Sequence, residues 1–181
     1  MNKATWESTA KPVVVLSVIA MLVSLLLAVV NSFTAPVIEA NEKATTLAAY
    51  VEVMPSVSSA ADLEEVTGYT TAGVSGVVRY TDGSIAVKAG ENGFDGGVLT
   101  VIMGFDANGQ VTGMWVDAST QTSGIGSNVA KDSYLAQFNG MDGTKNIVMN
   151  QDFDAYSGAT ISSTALFAAI NDCISCYNEL A

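Results

Sequence analysis

The sequence predicts an α+β protein in which one N-terminal transmembrane helix is followed by a single domain with an antiparallel-rich sheet packed by helices. Three observations support this: an uncharged apolar stretch near the N-terminus, paired strand-like runs in the middle, and an amphipathic helical pattern at the end. The chain has 181 residues, so the part after the apolar stretch has the size of one domain. We expect a cytoplasmic N-terminus at 1–11, an anchor at 12–35, a helical stalk leading into the domain at 36–72, and the domain at 73–181.

The apolar stretch predicts a retained membrane anchor. Pro12–Ile38 contains no charged residue, and its apolar core is about 27 Å long as a helix, which just spans a bilayer. Lys3 and Lys11 precede it and acidic residues follow, so the lysine bias puts the N-terminus in the cytoplasm and the domain outside. A cleaved signal peptide is the competing interpretation, but its apolar core is usually only roughly 7–15 residues long, and Pro36 discourages cleavage at this point.

Two pairs of short apolar runs predict two β-hairpins. Val74–Tyr80 pairs with Ile85–Ala89, and Val98–Phe105 pairs with Val111–Val116, each pair flanking a short polar turn that contains glycine. The glycine-rich segment Gly90–Gly97 joins the hairpins. Such a segment can bring the backbone close to a ring system, or it can be an ordinary flexible connection.

Helical spacing of apolar residues predicts three further helices. Glu39–Val53 ends before Pro55 and forms the stalk, while Asn128–Phe138 and Ile161–Tyr177 are expected to pack on the sheet.

The composition argues against several classes of function. The net charge is −11, and from residue 44 onward four basic side chains stand against fifteen carboxylates, so the surface repels nucleic acid and anionic lipid headgroups. The sequence contains no histidine, the commonest general base and metal ligand. We therefore expect no metal site, no acid–base catalytic group and no nucleic acid partner.

Cys173 and Cys176 form a single C-x-x-C pair in the predicted C-terminal helix. A metal site would need two more ligands, which could come only from carboxylates or another subunit, and a disulfide across one helical turn would be strained. We interpret Cys173 as a buried apolar residue and Cys176 as its neighbour, with a strained disulfide as the alternative near a frayed helix end.

Small residues and hydroxyls gather at the start of that helix, in the segment Asp154–Ser163. Gly158 and Ala159 allow close approach, uncapped helix N–H groups attract an anion, and Thr160 is the best-placed hydroxyl. By spacing alone, the same residues could instead be a turn and N-cap that open an ordinary core helix.

This segment resembles the flavinylation motif of the FMN-binding domain family, in which a flavin transferase joins FMN through its phosphate to a threonine hydroxyl. The family pattern is an acidic residue three positions before a serine, then Ser-Gly-Ala-Thr, any residue, and Ser or Thr, and residues 154–162 match it throughout. The resemblance implies covalent FMN on Thr160. The residues expected around the FMN are Ser157, Gly158, Ala159 and Ser163.

A second motif is the polar loop Ser119–Gly126, in which two glycines let the main chain approach a ligand. In isolation it could be a plain strand-to-helix connection. It resembles the Glu-Thr-Pro-Gly-Leu-Gly loop of the same family, which lies against the flavin ring. The resemblance assigns cofactor binding to Gln121, Thr122, Ser123, Gly124, Ile125 and Gly126.

Two residues of this loop depart from the family pattern. Gln121 stands where the family usually has Glu, and Ser123 where it usually has Pro. An uncharged Gln beside the flavin penalises a negatively charged reduced ring less than a carboxylate does, so we predict a raised midpoint potential. Loss of the proline leaves the loop less rigid.

The resemblance covers about residues 90–180, and the anchor and stalk lie where a membrane-complex subunit has them. The likeness is to G subunits of Rnf-type electron transport complexes, which are homologous to the C subunits of sodium-pumping NADH:quinone reductases. It implies a covalent-FMN electron carrier, not catalytic alone, in a membrane complex that couples ferredoxin:NAD oxidoreduction to sodium or proton translocation. The implied partners are the other membrane subunits and, during maturation, the flavin transferase. The implied location is the cytoplasmic membrane, with the flavin domain outside.

Two other interpretations stay open. The chain could be a membrane-anchored binding or assembly module without flavin, in which the Ser-Gly-Ala-Thr turn only caps a helix. It could also be a stand-alone flavin protein that serves electron transfer outside the cytoplasm.

Overall fold

The computed structural model describes residues 10–181, in which it contains three α-helices and five β-strands. The helices are α1 (Lys11–Val53), α2 (Asp132–Leu135) and α3 (Thr160–Leu180). The strands are β1 (Glu64–Glu65), β2 (Val74–Arg79), β3 (Ile85–Asn92), β4 (Val98–Phe105) and β5 (Val111–Asp117). Short 3₁₀ turns lie at Ala60–Asp62, Phe94–Gly96, Gly126–Ala130 and Ala136–Phe138. Most of the predicted cytoplasmic segment 1–11 lies outside the described residues.

The chain divides into two compact units, one up to Thr45 and one from Thr46 onward. In the first unit, the side chains of α1 from Lys11 to Thr45 are exposed. α1 has 43 residues and is long and apolar enough to cross a membrane. Pro36 lies inside the helix without ending it. The helix ends at Val53, before Pro55, as the sequence predicts.

The second unit is built on an antiparallel sheet whose strands follow chain order from β1 to β5. The two predicted hairpins are confirmed as β2–β3 and β4–β5, and β3 pairs with β4 along its whole length. An aspartate closes each hairpin turn: Asp82 Oδ1 accepts from Ser84 N–H at 2.8 Å, and Asp106 Oδ1 accepts from Asn108 N–H at 2.9 Å.

α3 covers one face of the sheet and forms the main core with it. Tyr177 of α3 stacks on Phe105 of β4, with ring centroids 4.6 Å apart. Cys173 lies on the buried side of α3, which confirms its interpretation as a buried residue, and Cys176 is buried as well. Both thiols are free, and burial raises the pKa of each, that of Cys176 to about 11.

The opposite face of the sheet is covered by the last turns of α1, where Tyr50 and Val53 are buried. Gly104 of β4 pairs with Gly113 of β5, and the absence of side chains on this glycine pair lets the Val53 backbone lie directly on the sheet. The Thr112 hydroxyl donates a hydrogen bond to the Val53 carbonyl at 2.6 Å. Two glycines and one hydroxyl therefore fix the end of α1 on the domain.

The prediction of one continuous helix over residues 128–138 is wrong. The structure divides this segment into the 3₁₀ turn Gly126–Ala130, the single-turn helix α2, and the 3₁₀ turn Ala136–Phe138. Lys131 has φ −72° and ψ 133°, an extended conformation that separates the first turn from α2. Burial of the apolar residues on both sides of this break stabilises the broken conformation more than the helical propensity of the segment stabilises a continuous helix. These residues are Val129, Leu135 and Phe138.

We expect Gly104→Ala to destabilise the domain. A Cβ atom here would overlap the Val53 carbonyl oxygen and lie 2.7 Å from the Thr112 hydroxyl oxygen, and overpacking of this kind costs about 1–3 kcal/mol. Chemical unfolding of the full chain in detergent measures the change. Ser58→Thr adds one methyl group at an exposed position and should change stability by less than about 0.5 kcal/mol. Equal unfolding midpoints for the two variants would contradict this packing.

We expect Glu179→Gln to reduce stability in a pH-dependent way. Glu179 accepts hydrogen bonds from the backbone N–H and hydroxyl groups of Thr70 and Thr71 at 2.7–3.1 Å. These bonds, led by that of the Thr71 hydroxyl, lower the pKa of Glu179 below its ordinary value of 4.5. A carboxyl with a lower pKa in the folded state stabilises the fold above its unfolded pKa and loses that contribution as the pH falls through its folded pKa.

The stability difference between wild type and Glu179→Gln should therefore be full near neutral pH and shrink as the pH falls below 4.5. Thermal unfolding of the full chain at a series of pH values measures it. Glu52→Gln, at another exposed glutamate, serves as the control. A stability difference that stays constant down to acid pH would show that ionisation of Glu179 does not strengthen its hydrogen bonds to Thr70 and Thr71.

Candidate functional site

The segment before α3 is a tight turn held by its own hydrogen bonds. Ala159 N–H donates to the Tyr156 carbonyl at 3.0 Å, and Tyr156 N–H donates to the Ser163 hydroxyl at 3.0 Å. Gly158, inside the turn, has φ +81°, which residues with a side chain rarely adopt. The turn ends with Ala159 as the N-cap of α3, so Thr160 is the first residue of the helix.

The N-terminus of α3 has no side-chain cap. Ala159 carries no hydrogen-bonding group on its side chain, and Ser163 N–H donates to the Ala159 carbonyl at 2.8 Å, closing the first helical turn. The N–H groups of Thr160, Ile161 and Ser162 therefore have no partner within the helix. Together with the helix dipole, they favour an anion at this position.

A pocket of about 450 Å³ opens at this helix terminus, within the range of roughly 300–1,000 Å³ typical of cofactor sites. Three parts of the chain form it: the turn with the start of α3, the polar loop after β5, and the 3₁₀ turn before β4. The lining residues are Phe94, Thr122, Ile125, Gly126, Gly158, Ala159, Thr160, Ile161 and Ser162.

Exposed large apolar side chains of the second unit gather at this pocket. Phe94, Ile125 and Ile161 line it and are 49%, 54% and 55% exposed, and Val98 follows the Phe94 turn with 48% exposure. Among the described residues of this unit, the other exposed large apolar side chain is Val148. Clustered exposed apolar groups mark a binding surface. The pocket therefore offers an apolar surface to a ligand.

Gln121 lies behind the pocket wall. It is 4% exposed, and its Oε1 atom accepts hydrogen bonds from Phe94 N–H at 3.0 Å and from the Ser162 hydroxyl at 2.9 Å. Its Nε2 atom donates to the Gly97 carbonyl at 2.8 Å and to the Thr120 hydroxyl at 3.1 Å. One side chain thus joins the turn before β4, the polar loop and α3.

The residues that the motifs predict for the cofactor divide into two groups. Those that line the pocket are Thr122, Ile125, Gly126, Gly158, Ala159 and Thr160. Those that lie outside its lining are Gln121, Ser123, Gly124, Ser157 and Ser163. In the second group, Ser163 is fully buried and supports the turn before α3, while Gly124 has φ +73° and reverses the direction of the loop.

Three further residues line the pocket although neither motif predicts them as cofactor contacts. Ile161 and Ser162 directly follow Thr160, so the helical start that presents the threonine also presents them. Phe94 comes from the glycine-rich segment before β4. A single aromatic residue among glycines is the sequence signal that could identify it.

The site can bind and orient a ligand but offers no acid–base group of its own. No residue that lines the pocket is charged. Over residues 10–181 the structure also shows no group of three or more His, Cys, Asp or Glu side chains that could hold a metal ion. General acid–base catalysis requires a titratable side chain within hydrogen-bond reach.

Comparisons with known proteins match two regions of the chain. Residues 93–175 match the FMN-binding domain, and residues 1–53 match the RnfG N-terminal region. Over 97% of its length, the chain is 27% identical to the G subunit of the Na(+)-translocating ferredoxin:NAD(+) oxidoreductase complex of Acetobacterium woodii, 95% of which is covered. The solved structure of the C subunit of Na(+)-translocating NADH-quinone reductase from Parabacteroides distasonis is 17% identical, with 57% of this chain and 59% of that chain covered and a TM-score of 0.46. The chain is thus similar to the RnfG N-terminal region over residues 1–53 and to the FMN-binding domain over residues 93–175.

Proposed function

We propose that Thr160 carries FMN through a phosphoester bond and that the chain is a redox subunit of an Rnf-type electron transport complex. The observation that carries this proposal is the position of Thr160, which is exposed at the uncapped N-terminus of α3 and lines the pocket. A hydroxyl at that point lies where the helix favours a phosphate.

The residues of the site fit both ends of FMN. The apolar side chains of Phe94, Ile125 and Ile161 provide surface for the isoalloxazine ring. The free N–H groups of the first turn of α3 suit the phosphate, and no charged side chain in the pocket lining opposes it. The cofactor of the family and the shape of the pocket thus agree.

Formation of the phosphoester needs an activated phosphate and a base. With a flavin dinucleotide as the donor, the Thr160 oxygen would form the new O–P bond while the pyrophosphate bond breaks and a nucleoside monophosphate leaves. The hydroxyl proton passes to a base. Because the pocket lining holds no titratable side chain, we assign that base to a separate flavin transferase.

Bound FMN supplies the electron transfer, and the protein determines its position, solvent access and local charge. Phe94 and the polar loop would shield the ring, while Thr160 would hold the phosphate end. With no acid–base group in the pocket lining, the chain acts as an electron carrier that exchanges electrons with neighbouring redox centres.

The related Acetobacterium woodii protein belongs to a Na(+)-translocating ferredoxin:NAD(+) oxidoreductase complex. By analogy, we propose a similar complex here, with its other membrane subunits as partners and either sodium or protons as the coupling ion. Lys3 and Lys11 precede the apolar stretch, so α1 is a single-pass anchor with its N-terminus in the cytoplasm and the FMN domain outside. A covalent bond keeps the cofactor from being lost on that side.

Thr160→Val should abolish covalent FMN without unfolding the domain, because it removes the attacking hydroxyl at an exposed position. Intact mass of the full chain, produced with a flavin transferase, should show one added FMN in wild type and none in the variant. Thr164→Val is the matched control, since that hydroxyl is also exposed and bonds only to the Thr160 carbonyl, at 2.9 Å. Wild type without added mass, or FMN retained in Thr160→Val, would refute the attachment.

Gln121→Glu should lower the midpoint potential of the FMN when the new carboxyl is ionised. A negative charge one layer behind the pocket wall disfavours the charge that reduction adds to the ring. Redox titration of the flavinylated full chain measures the shift, with Gln151→Glu as a control that places the same charge at an exposed position outside the pocket lining. Equal potentials for the two variants would count against an electrostatic role for position 121.

A further inference from the structure

We infer that Gln121 is the positioning residue of the pocket: its carboxamide ties the Phe94 turn to the first turn of α3 and so sets the gap that receives the flavin ring. The identity of the ring rests on the proposed function. The hydrogen bonds that set the gap belong to the protein alone.

Gln121 can act on the ligand through two residues that it holds directly. Its Oε1 atom accepts from Phe94 N–H at 3.0 Å and from the Ser162 hydroxyl at 2.9 Å. Phe94 and Ser162 both line the pocket, whereas Gln121 does not. Two parts of the pocket wall, about 70 residues apart in the chain, therefore meet at one carbonyl oxygen.

The polarity of these bonds requires an amide. Phe94 N–H can only donate and the Gly97 carbonyl can only accept. Rotation of the amide by 180° would place the donor Nε2 against Phe94 N–H and the acceptor Oε1 against the Gly97 carbonyl. A carboxylate satisfies the Oε1 partners but places a second oxygen against the Gly97 carbonyl. An apolar side chain satisfies none of the four bonds.

Two glycines leave room for this side chain, and a third, Gly97, leaves room for the adjacent Thr120. A Cβ atom at Gly93 would overlap the Gln121 carboxamide, and one at Gly126 would lie 3.1 Å from Gln121 Cβ. At Gly97, it would lie 2.8 Å from the Thr120 carbonyl oxygen. The glycines of both loops thus serve the enclosure of Gln121, which explains its 4% exposure.

Replacement of the amide by a carboxyl should make the pocket sensitive to pH. Gln121 forms hydrogen bonds with Phe94, Gly97, Thr120 and Ser162, and the charged residues of the segments that carry these partners are Asp95 and Asp117. Burial and two nearby acidic groups favour the neutral form of a carboxyl. A neutral carboxyl can donate to the Gly97 carbonyl, as Nε2 does, but an ionised one repels it.

The test compares wild type, Gln121→Glu, Gln121→Met and the exposed control Gln151→Glu as full chains in detergent, made with and without a flavin transferase. One readout is amide hydrogen exchange of the peptide containing Phe94–Gly97, expressed relative to wild type at each pH. The other is the fluorescence of attached FMN. A pH series from about 5 to 9 covers the ionisation of a buried carboxyl.

In Gln121→Met, exchange of this peptide should rise about tenfold at every pH, because the hydrogen bonds that hold the turn are lost. Flavin fluorescence should rise with it as the ring loses its contacts. Gln121→Glu should match wild type at low pH and approach Gln121→Met as the pH rises. Gln151→Glu should match wild type throughout.

Exchange and fluorescence equal to wild type in Gln121→Met, or a pH-independent Gln121→Glu, would overturn the inference. If circular dichroism shows that Gln121→Met is unfolded, Ser162→Ala replaces it. That variant removes one of the four hydrogen bonds, so exchange and fluorescence should both rise, but by less than expected for Gln121→Met. If neither rises, the inference is overturned. A bare Thr160 in wild type would refute the proposed function instead, while exchange in the transferase-free protein still decides the role of Gln121.

Discussion

Burial of one side of α3 against β3 and β4 is the constraint on which the site depends. Leu166, Ile170 and Ile174 are fully buried, and each such side chain contributes about 1.5–3 kcal/mol. This packing fixes both the axis and the rotation of the helix. Its first turn therefore presents Thr160 and Ile161 at the surface while it buries Ser162 and Ser163. The core, more than the loops, decides which hydroxyl faces the pocket.

The sequence predicts the sheet and α3 because apolar periodicity states directly which face of an element is buried. The same periodicity misleads between residues 128 and 138, where the apolar residues reach the core from two short turns separated by an extended Lys131. The motifs identify the threonine and the polar loop. They do not reveal the surroundings of Gln121, whose backbone partners Phe94 and Gly97 lie 27 and 24 residues upstream. Contacts over such separations follow only from the fold.

The acidic chain as a whole and its uncharged pocket differ in their electrostatic environment. The chain has a net charge of −11, yet no charged residue lines the pocket at the start of α3. In the proposed site, a phosphate would be held by backbone dipoles, which do not change with pH, rather than by lysine or arginine. The nearby cation Lys131 lies over the Tyr156 ring, with its Nζ atom 6.0 Å from the centroid. Retention of such a ligand by ionic attraction alone would be weak, which makes a permanent chemical bond advantageous.

The glycine pair that receives Val53 also determines how a water-soluble form of this protein can be made. Residues 46–53 cover the second face of the sheet. A fragment beginning at Pro55 would expose Val78, Ala86 and Ile102 and would therefore tend to aggregate. A truncation shortly before Thr46 removes the apolar part of α1 and keeps residues 46–53 on the sheet. A fragment truncated at that point suits crystallisation, electrode studies and antibody production without detergent.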